Sequence, residues 1–251
     1  MLTPGSLESR SVAHSAPIHL RPTAALADRV LLPGDPGRAL ALAQYLLSEP
    51  LMFNHNRGLW GYTGAAADGA PLTIQSTGMG GPSAAIVLHE LISLGVRRAI
   101  RVGTCGALDR TLALGELVVA REAIAADGTS TALGAGGLTR ADPGLCDALC
   151  EALARDGDAD AFHHGRIVST DLFYDPDGER NHSWATAGAI AVEMEASSLF
   201  ALGDAAGIGV ACLLTITDTF DPLGARTRIG DDSLERAVEK MGAAAAAALS
   251  L

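Results

Sequence analysis

Seven short apolar runs alternate along this chain with five stretches of helical periodicity, and that alternation restricts its fold more than any other feature. The runs occupy 29–32, 72–76, 99–102, 116–120, 165–169, 189–192 and 210–217. The helical patterns occupy 39–47, 83–94, 144–154, 194–206 and 233–249. Such alternation predicts an α/β fold: a central, largely parallel or mixed β-sheet flanked by helices. In such sheets ligands gather at the carboxyl ends of the strands. GDPGR follows the first run, STGMGG the second, GTCGA the third, and ITDTF ends the last, so motifs far apart in sequence are expected to converge.

The length of 251 residues allows one large domain or two small ones. No internal repeat is evident, and the two loop-like stretches, small and polar 128–137 and Pro/Gly-rich 218–232, are too short to link domains. One domain over 17–251 is expected. Residues 1–16 lack the basic start and apolar middle of a signal peptide and read as a loose, flexible leader. No run approaches the roughly 18 uninterrupted apolar residues of a membrane span, so a cytoplasmic location without a membrane partner is expected. Lys and Arg sum to 18 against 29 Asp and Glu, a net −11 that argues against a nucleic-acid surface. Cys105, Cys146, Cys150 and Cys212 show neither CxxC nor Cys/His ligand spacing and read as buried thiols, with no metal site.

Two strings carry chemistry: LLPGDPGR (31–38) and RVGTCGA (101–107). Each sets glycine beside arginine at an apolar run. Glycine lets a backbone amide approach an anion, and arginine offers a planar fork matching two oxygens of an oxyanion. Either alone is weak, because many strand-to-helix turns are glycine-rich and bind nothing. Between them lies STGMGGPSAAIVLHEL (76–91), and further on come STDLFYDPDGE (169–179) and VEMEASSLF (192–200).

Taken together, in this order and spacing, these motifs resemble the nucleoside phosphorylases, the family of purine nucleoside phosphorylase and uridine phosphorylase, from about His19 to Phe220. The resemblance implies a phosphorylase-type single-domain fold and a role for each matching residue. Gly34 and Arg38 correspond to the phosphate-binding GDPxR element, and Arg101 and Thr104 to a second phosphate element. Arg57, in HNRGLWGYTG, matches an arginine supplied by a neighbouring subunit; the alternative is an ordinary surface arginine. Glu195 matches the glutamate that accepts from ribose hydroxyls, Met194 the residue packed on the sugar, and Glu193 a residue nearer the base. The alternative for either glutamate is complementing a helix dipole. His19 matches a histidine reaching across a dimer interface to the ribose 5′-hydroxyl, and Phe173 the aromatic stacked on the base. The paired arginines favour attack by phosphate over attack by water. A homo-oligomer built of dimers with shared sites, a hexamer, is implied, with orthophosphate as co-substrate and no cofactor.

Within the family, uridine phosphorylases read uracil with a Q-x-R pair after the aromatics; here the chain has Asp177-Gly178-Glu179-Arg180 and no glutamine. The FYDPDGE stretch resembles the purine enzymes instead. Asp218 in ITDTF matches their catalytic aspartate facing ring nitrogen seven, where a carboxyl can give its proton to the departing purine; capping the next turn is the simpler alternative. An arginine partner for Asp218 is implied, and Arg226 and Arg228 are both candidates, with Arg228 slightly better placed. Parts of STGMGGPS and RVGTCG are closer to uridine phosphorylase usage, which keeps a pyrimidine enzyme, and after it a nucleosidase, as alternatives. A dinucleotide-binding module is disfavoured because no GxGxxG is present.

Overall fold

The computed structural model describes residues 17–155, 162–221 and 225–251; the leader expected over 1–16 lies outside them. The strands are β1 (Arg29–Leu32), β2 (Ser48–Asn54), β3 (Gly61–Ala65), β4 (Pro71–Gln75), β5 (Arg98–Ala107), β6 (Leu117–Ala126), β7 (Leu138–Arg140), β8 (Phe162–Thr170), β9 (Ala189–Glu193), β10 (Gly209–Phe220) and β11 (Arg226–Arg228). The helices are α1 (Pro36–Leu46), α2 (Gly81–Ser93), α3 (Gly128–Ala132), α4 (Pro143–Arg155), α5 (Arg180–Thr186), α6 (Ala196–Ala206) and α7 (Asp231–Ala248).

All these strands belong to one mixed sheet. β1 lies between β4 and β5, parallel to both, while β3 and β2 extend that edge antiparallel. Beyond β5 the sheet curls: β10, β6, β8 and β9 pair in succession, and β9 returns to β5 at Gly106 and Ala107 to close a ring. The central strands read as continuous apolar runs because helices cover them. β1 is buried at every position, and β10 from Val210 to Asp218. Helices α1 and α7 meet where Gly242 faces Leu42; a Cβ there would stand 2.4 Å from Leu42 Cδ2.

The α/β alternation is as the sequence predicts, but several boundaries differ. β5 runs straight through GTCGA, and β10 to the end of ITDTF, beyond the apolar runs that end at Val102 and Thr217 in the sequence. The glycines of GTCGA serve side chains rather than a turn: a Cβ on Gly103 would stand 2.7 Å from the Arg101 guanidinium carbon. The stretch 128–137 contains α3, capped by Asp127, and 218–232 holds the end of β10, the edge strand β11 and the start of α7. β2 leaves little trace in sequence because it is an exposed edge strand with two register shifts against β3.

Candidate active site

A cleft of about 730 Å3 opens where β1, β4, β5, β9 and β10 end or pass, within the roughly 300–1,000 Å3 of small-molecule sites. Gly34, Arg38, Arg101, Thr104, Phe173, Glu193, Met194, Glu195 and Asp218 all line it. Residues spread over most of the chain therefore meet at one place. His19 and Arg57 do not line it.

One end is cationic. Asp35 caps α1, its carboxylate accepting from the Arg38 backbone N–H at 2.7 Å, and this fixes Arg38 in the first helical turn. Arg101 rises from β5 opposite Leu32 and Cys212. Its Nε donates to Glu193 Oε2 (2.9 Å) and its Nη2 pairs with Glu195 Oε2 (2.5 Å). Burial alone would lower the Arg101 pKa, but the Glu195 and Glu193 carboxylates outweigh it and raise it. The Arg38 pKa is lowered, first by burial and next by the Arg101 charge. Two guanidinium groups that repel each other at one end of a cleft favour an anion between them. Gly34 leaves room there: a Cβ would lie 3.2 Å from the Gly78 carbonyl oxygen and 3.9 Å from Arg101 Nη1.

The two glutamates have different partners. Glu193, ending β9, accepts from Arg101 Nε, from the Ser169 hydroxyl, and from the backbone N–H groups of Glu195 (2.9 Å) and Ala196 (3.0 Å). Its oxygens are thus used to cap α6 and fix Arg101. Glu195 accepts from the Gly80 N–H (2.5 Å) and pairs with Arg101. Burial, with help from the neighbouring Glu193, raises the Glu195 pKa against the pull of Arg101. Gly80 itself has φ +88°, a backbone conformation that suits glycine.

The opposite end combines an acid, a cation and an aromatic. The β5–β10 register shifts between Ile216 and Asp218, a bulge of the sort that re-aims side chains beside functional sites. The Asp218 carboxylate accepts from the Thr217 hydroxyl (Oδ2, 2.8 Å) and from Arg226 Nε (Oδ1, 2.8 Å). Arg226, not Arg228, is therefore its partner. Arg228 is the ladder residue opposite Asp218, but the diagonal side chain of Arg226 makes the contact. The Arg226 guanidinium carbon stands 4.7 Å from the centroid of the Phe173 ring, which meets Tyr174 edge to face at 5.0 Å. Arg180, the position compared with the uracil-reading arginine, pairs instead with Asp175 and Asp177.

His19 and Arg57 sit together on an adjoining surface, linked by the Asn56 side-chain amide donating to the His19 carbonyl oxygen (2.8 Å). Arg57 is exposed and has φ 58°, an uncommon left-handed backbone for a non-glycine residue. The His19 ring is fixed by Nδ1 against Glu90 Oε1 (2.7 Å), and Glu90 also accepts the N–H groups of Ile18, His19 and Leu20. Burial raises the Glu90 pKa, but these hydrogen bonds together bring it down to about 2.

Sequence reasoning missed the support beneath the site. Asp127 accepts from the Ser130 N–H (2.8 Å), and the hydroxyls of Ser130, Ser197 and Ser198 also bind it, joining β6 and α3 to α6. Ser169 completes the link, donating to Glu193 and accepting the Ser197 N–H (2.9 Å). DGTS, an N-cap pattern, was the legible trace of Asp127; the serines carry no local signal. Asn181 and Trp184 of α5 also line the cleft.

The family model of the phosphorylase superfamily matches residues 28–250, and the chain belongs to that superfamily. Among its relatives, a DeoD-type purine nucleoside phosphorylase of Clostridium novyi is 37% identical over 197 residues, covering 77% of this chain and 83% of the relative. A second DeoD-type enzyme, from Clostridium beijerinckii, is 37% identical over 81% of this chain and 86% of its own. A guanosine phosphorylase of Halorubrum lacusprofundi is 38% identical over 84% of this chain and 85% of its own.

Proposed function

We infer that this protein is a purine nucleoside phosphorylase, a pentosyltransferase that converts a purine ribonucleoside or deoxyribonucleoside and orthophosphate to free base and pentose 1-phosphate. The observation that carries this reading is the Arg101 guanidinium, locked by two carboxylates on one side and facing Arg38 within the same cleft as Asp218. Names borne by relatives at this identity and coverage support it.

In this reading Arg38, Arg101, Thr104 and the backbone at Gly34 seat the phosphate dianion. Glu195 accepts from ribose hydroxyls, Met194 packs on the sugar and Phe173 on the base; Glu193 holds Arg101 in place. A phosphate oxygen attacks the anomeric carbon as its bond to the base nitrogen breaks, and that electron pair leaves with the base. Asp218 gives its proton to ring nitrogen seven, which discharges the leaving group. The carboxylate so formed has Thr217 and Arg226 as ready partners. The reaction calls for no metal or organic cofactor.

The working unit is, in this reading, a hexamer built of dimers, in which His19 and Arg57 complete a neighbour's site. Its support is their position outside the cleft, on a surface where Ile18, Leu51, Met52 and Trp60 are exposed. A cytoplasmic location fits the free thiols, and no helix of the described residues is long and apolar enough to cross a membrane.

Inosine mixed with the protein, with and without phosphate, tests the function by absorbance. Cleavage that requires phosphate is expected. Cleavage without phosphate indicates a nucleosidase, and uridine cleaved in preference to inosine overturns the purine assignment.

A further inference from the structure

Glu195 holds the N-cap position of α6, yet its side chain makes no capping hydrogen bond. The helix end is satisfied by other groups. Glu193 accepts the N–H groups of Glu195 and Ala196, and Ser169 Oγ accepts that of Ser197. The last fastening is Asp127, which is buried and does not line the cleft. Its Oδ2 accepts from the Ser197 hydroxyl and its Oδ1 from that of Ser198 (2.8 Å), the second and third residues of the helix. The same two oxygens accept from the Ser130 hydroxyl (2.5 Å) and N–H (2.8 Å) in the first turn of α3. Each oxygen thus has two donors, and among the described residues no basic side chain pairs with the carboxylate. Burial alone would raise its pKa, but these hydrogen bonds, led by the Ser130 and Ser197 hydroxyls, lower it. Asp127 is therefore a buried anion, and a negative charge at the amino end of a helix suits its dipole. The other anchor of Glu195 rests on the same hub. Gly80, whose N–H donates to Glu195, precedes Gly81, where a Cβ would stand 2.6 Å from Ser198 Oγ and 3.1 Å from Thr129 Cβ.

Resting on the phosphorylase reading above, we propose that Asp127 is a positioning residue that aims the Glu195 carboxylate at the ribose hydroxyls. Consecutive residues of a helix point about 100° apart, so bonds from both Ser197 and Ser198 to one carboxylate pin the first turn of α6 against rotation as well as sliding. Glu195 immediately precedes that turn. With capping left to Glu193, Ser169 and Asp127, its carboxylate is spared for the cleft and for Arg101. A ligand-facing group held by locked supporting bonds is precise, and loosening those bonds misplaces it. A fastener with only a structural role would weaken the fold and slow every substrate alike. One that aims Glu195 is felt only by substrates carrying the hydroxyls that Glu195 receives.

Inosine and 2′,3′-dideoxyinosine differ only in two ribose hydroxyls, so the test is the ratio of their kcat/KM values at saturating phosphate. Asp127→Asn keeps an oxygen to cap α3 but turns an amide toward the Ser197 hydroxyl and removes the charge. It should lower kcat/KM for inosine about 10- to 100-fold, the cost of a small misplacement, and that for dideoxyinosine by no more than about twofold. Ser197→Ala cuts the same link from the helix side and should lower the same ratio, which keeps the test open if Asp127→Asn does not fold. Thr131→Ala removes a hydroxyl that binds only the Asp127 backbone carbonyl (2.9 Å) and should leave the ratio as it is. In a Glu195→Ala background, Asp127→Asn should change the ratio no further, because the group it aims is gone; independent effects would add. Equal losses for the two nucleosides overturn the proposal, as do losses that add in the double variant. So does a ratio lowered equally by Thr131→Ala, which would reduce the effect to any loosening of α3. Binding of the two nucleosides, read by the fluorescence of Trp184 in the cleft, measures the same preference without turnover. A binding preference that Asp127→Asn removes, in a protein that cleaves neither nucleoside, would reject the enzymatic reading and keep the positioning role. Phosphate-dependent cleavage with an unchanged ratio would do the reverse.

Discussion

Arg29 and Arg101 are equally buried, at 3% and 4% exposure, and both lie in the central part of the sheet, yet they have opposite meanings. Arg29 sits at the amino end of β1 and every donor it has is used. Its Nε binds the Pro71 carbonyl, Nη1 binds Asp68 and Ser250, and Nη2 binds Asp68 and the Ala70 carbonyl. Arg101 lies within the neighbouring β5, opposite Leu32 at the carboxyl end of β1, where Nε and Nη2 are held by Glu193 and Glu195 and Nη1 has no partner among the described residues. The first is a fastener tying the start of β1 to the end of α7. The second is gripped from behind and open in front. What separates a structural buried charge from a ligand-binding one is not burial but whether its donors are all used within the protein.

Removing Arg29 gives the largest effect on this comparison, and it should fall on stability. Arg29→Ala leaves the adjacent Ala70 and Pro71 carbonyls and the Asp68 carboxylate without their partner, a loss of about 3–5 kcal/mol. For a chain of this size that lowers the melting temperature by about 6–20 °C. The phosphate KM of the protein that remains folded should be unchanged. Thermal melts with kinetics on the same preparation check it, and a raised phosphate KM would break the distinction between the two arginines.

Arg101→Ala should do the converse. The dianion loses a charge-assisted partner worth about 1.5–3 kcal/mol, so kcat/KM for phosphate falls about 10- to 150-fold. Unchanged phosphate dependence in a folded variant would remove the anion site from this end of the cleft.

The two arginines also show what a sequence can disclose. Arg101 is legible because glycines surround it in a string that recurs in a family; Arg29 opens an ordinary apolar run and shows nothing of Asp68 or Ser250. The strands and helices of the central sheet are legible from apolar periodicity, which registers burial on both faces. β11 is not, because three exposed residues make no pattern, and with it goes the choice between Arg226 and Arg228. Ladder spacing favours Arg228, whereas a diagonal reach across the strand pair decides for Arg226. Glu193 and Glu195 look alike in sequence. Both line the cleft, and only the fold shows that the oxygens of Glu193 are consumed in capping α6 and holding Arg101, whereas Glu195 accepts from Gly80 and pairs with Arg101. Long-range partners such as Ser169 and Asp127 leave no spacing signal, since they are joined by topology alone.

The smallest expected effect concerns those two glutamates and appears as a shift along the pH axis. The Glu195 pKa is raised by burial first and by Glu193 second, above the ordinary glutamate value of 4.5. A raised carboxyl takes up its proton earlier as the pH falls, and the neutral form loses both its ion pair with Arg101 and its capacity to accept from ribose hydroxyls as a carboxylate. The kcat/KM for inosine should therefore show an acid limb with its midpoint above 4.5, falling about tenfold per pH unit below it. The sign for stability follows from the same shift. Uptake of the proton is favoured in the folded state, so the contribution is present at pH below 4.5 and is lost as the pH rises through the folded value. Relative to wild type, Glu195→Gln should consequently gain stability between pH 4 and 7 while its activity, lower throughout, loses the acid limb. Melting temperatures and kcat/KM profiles of both proteins across that range test the two signs together. An identical acid limb in the variant would assign the titration to another group, and Glu195 would then stand with Arg29 on the structural side of the comparison.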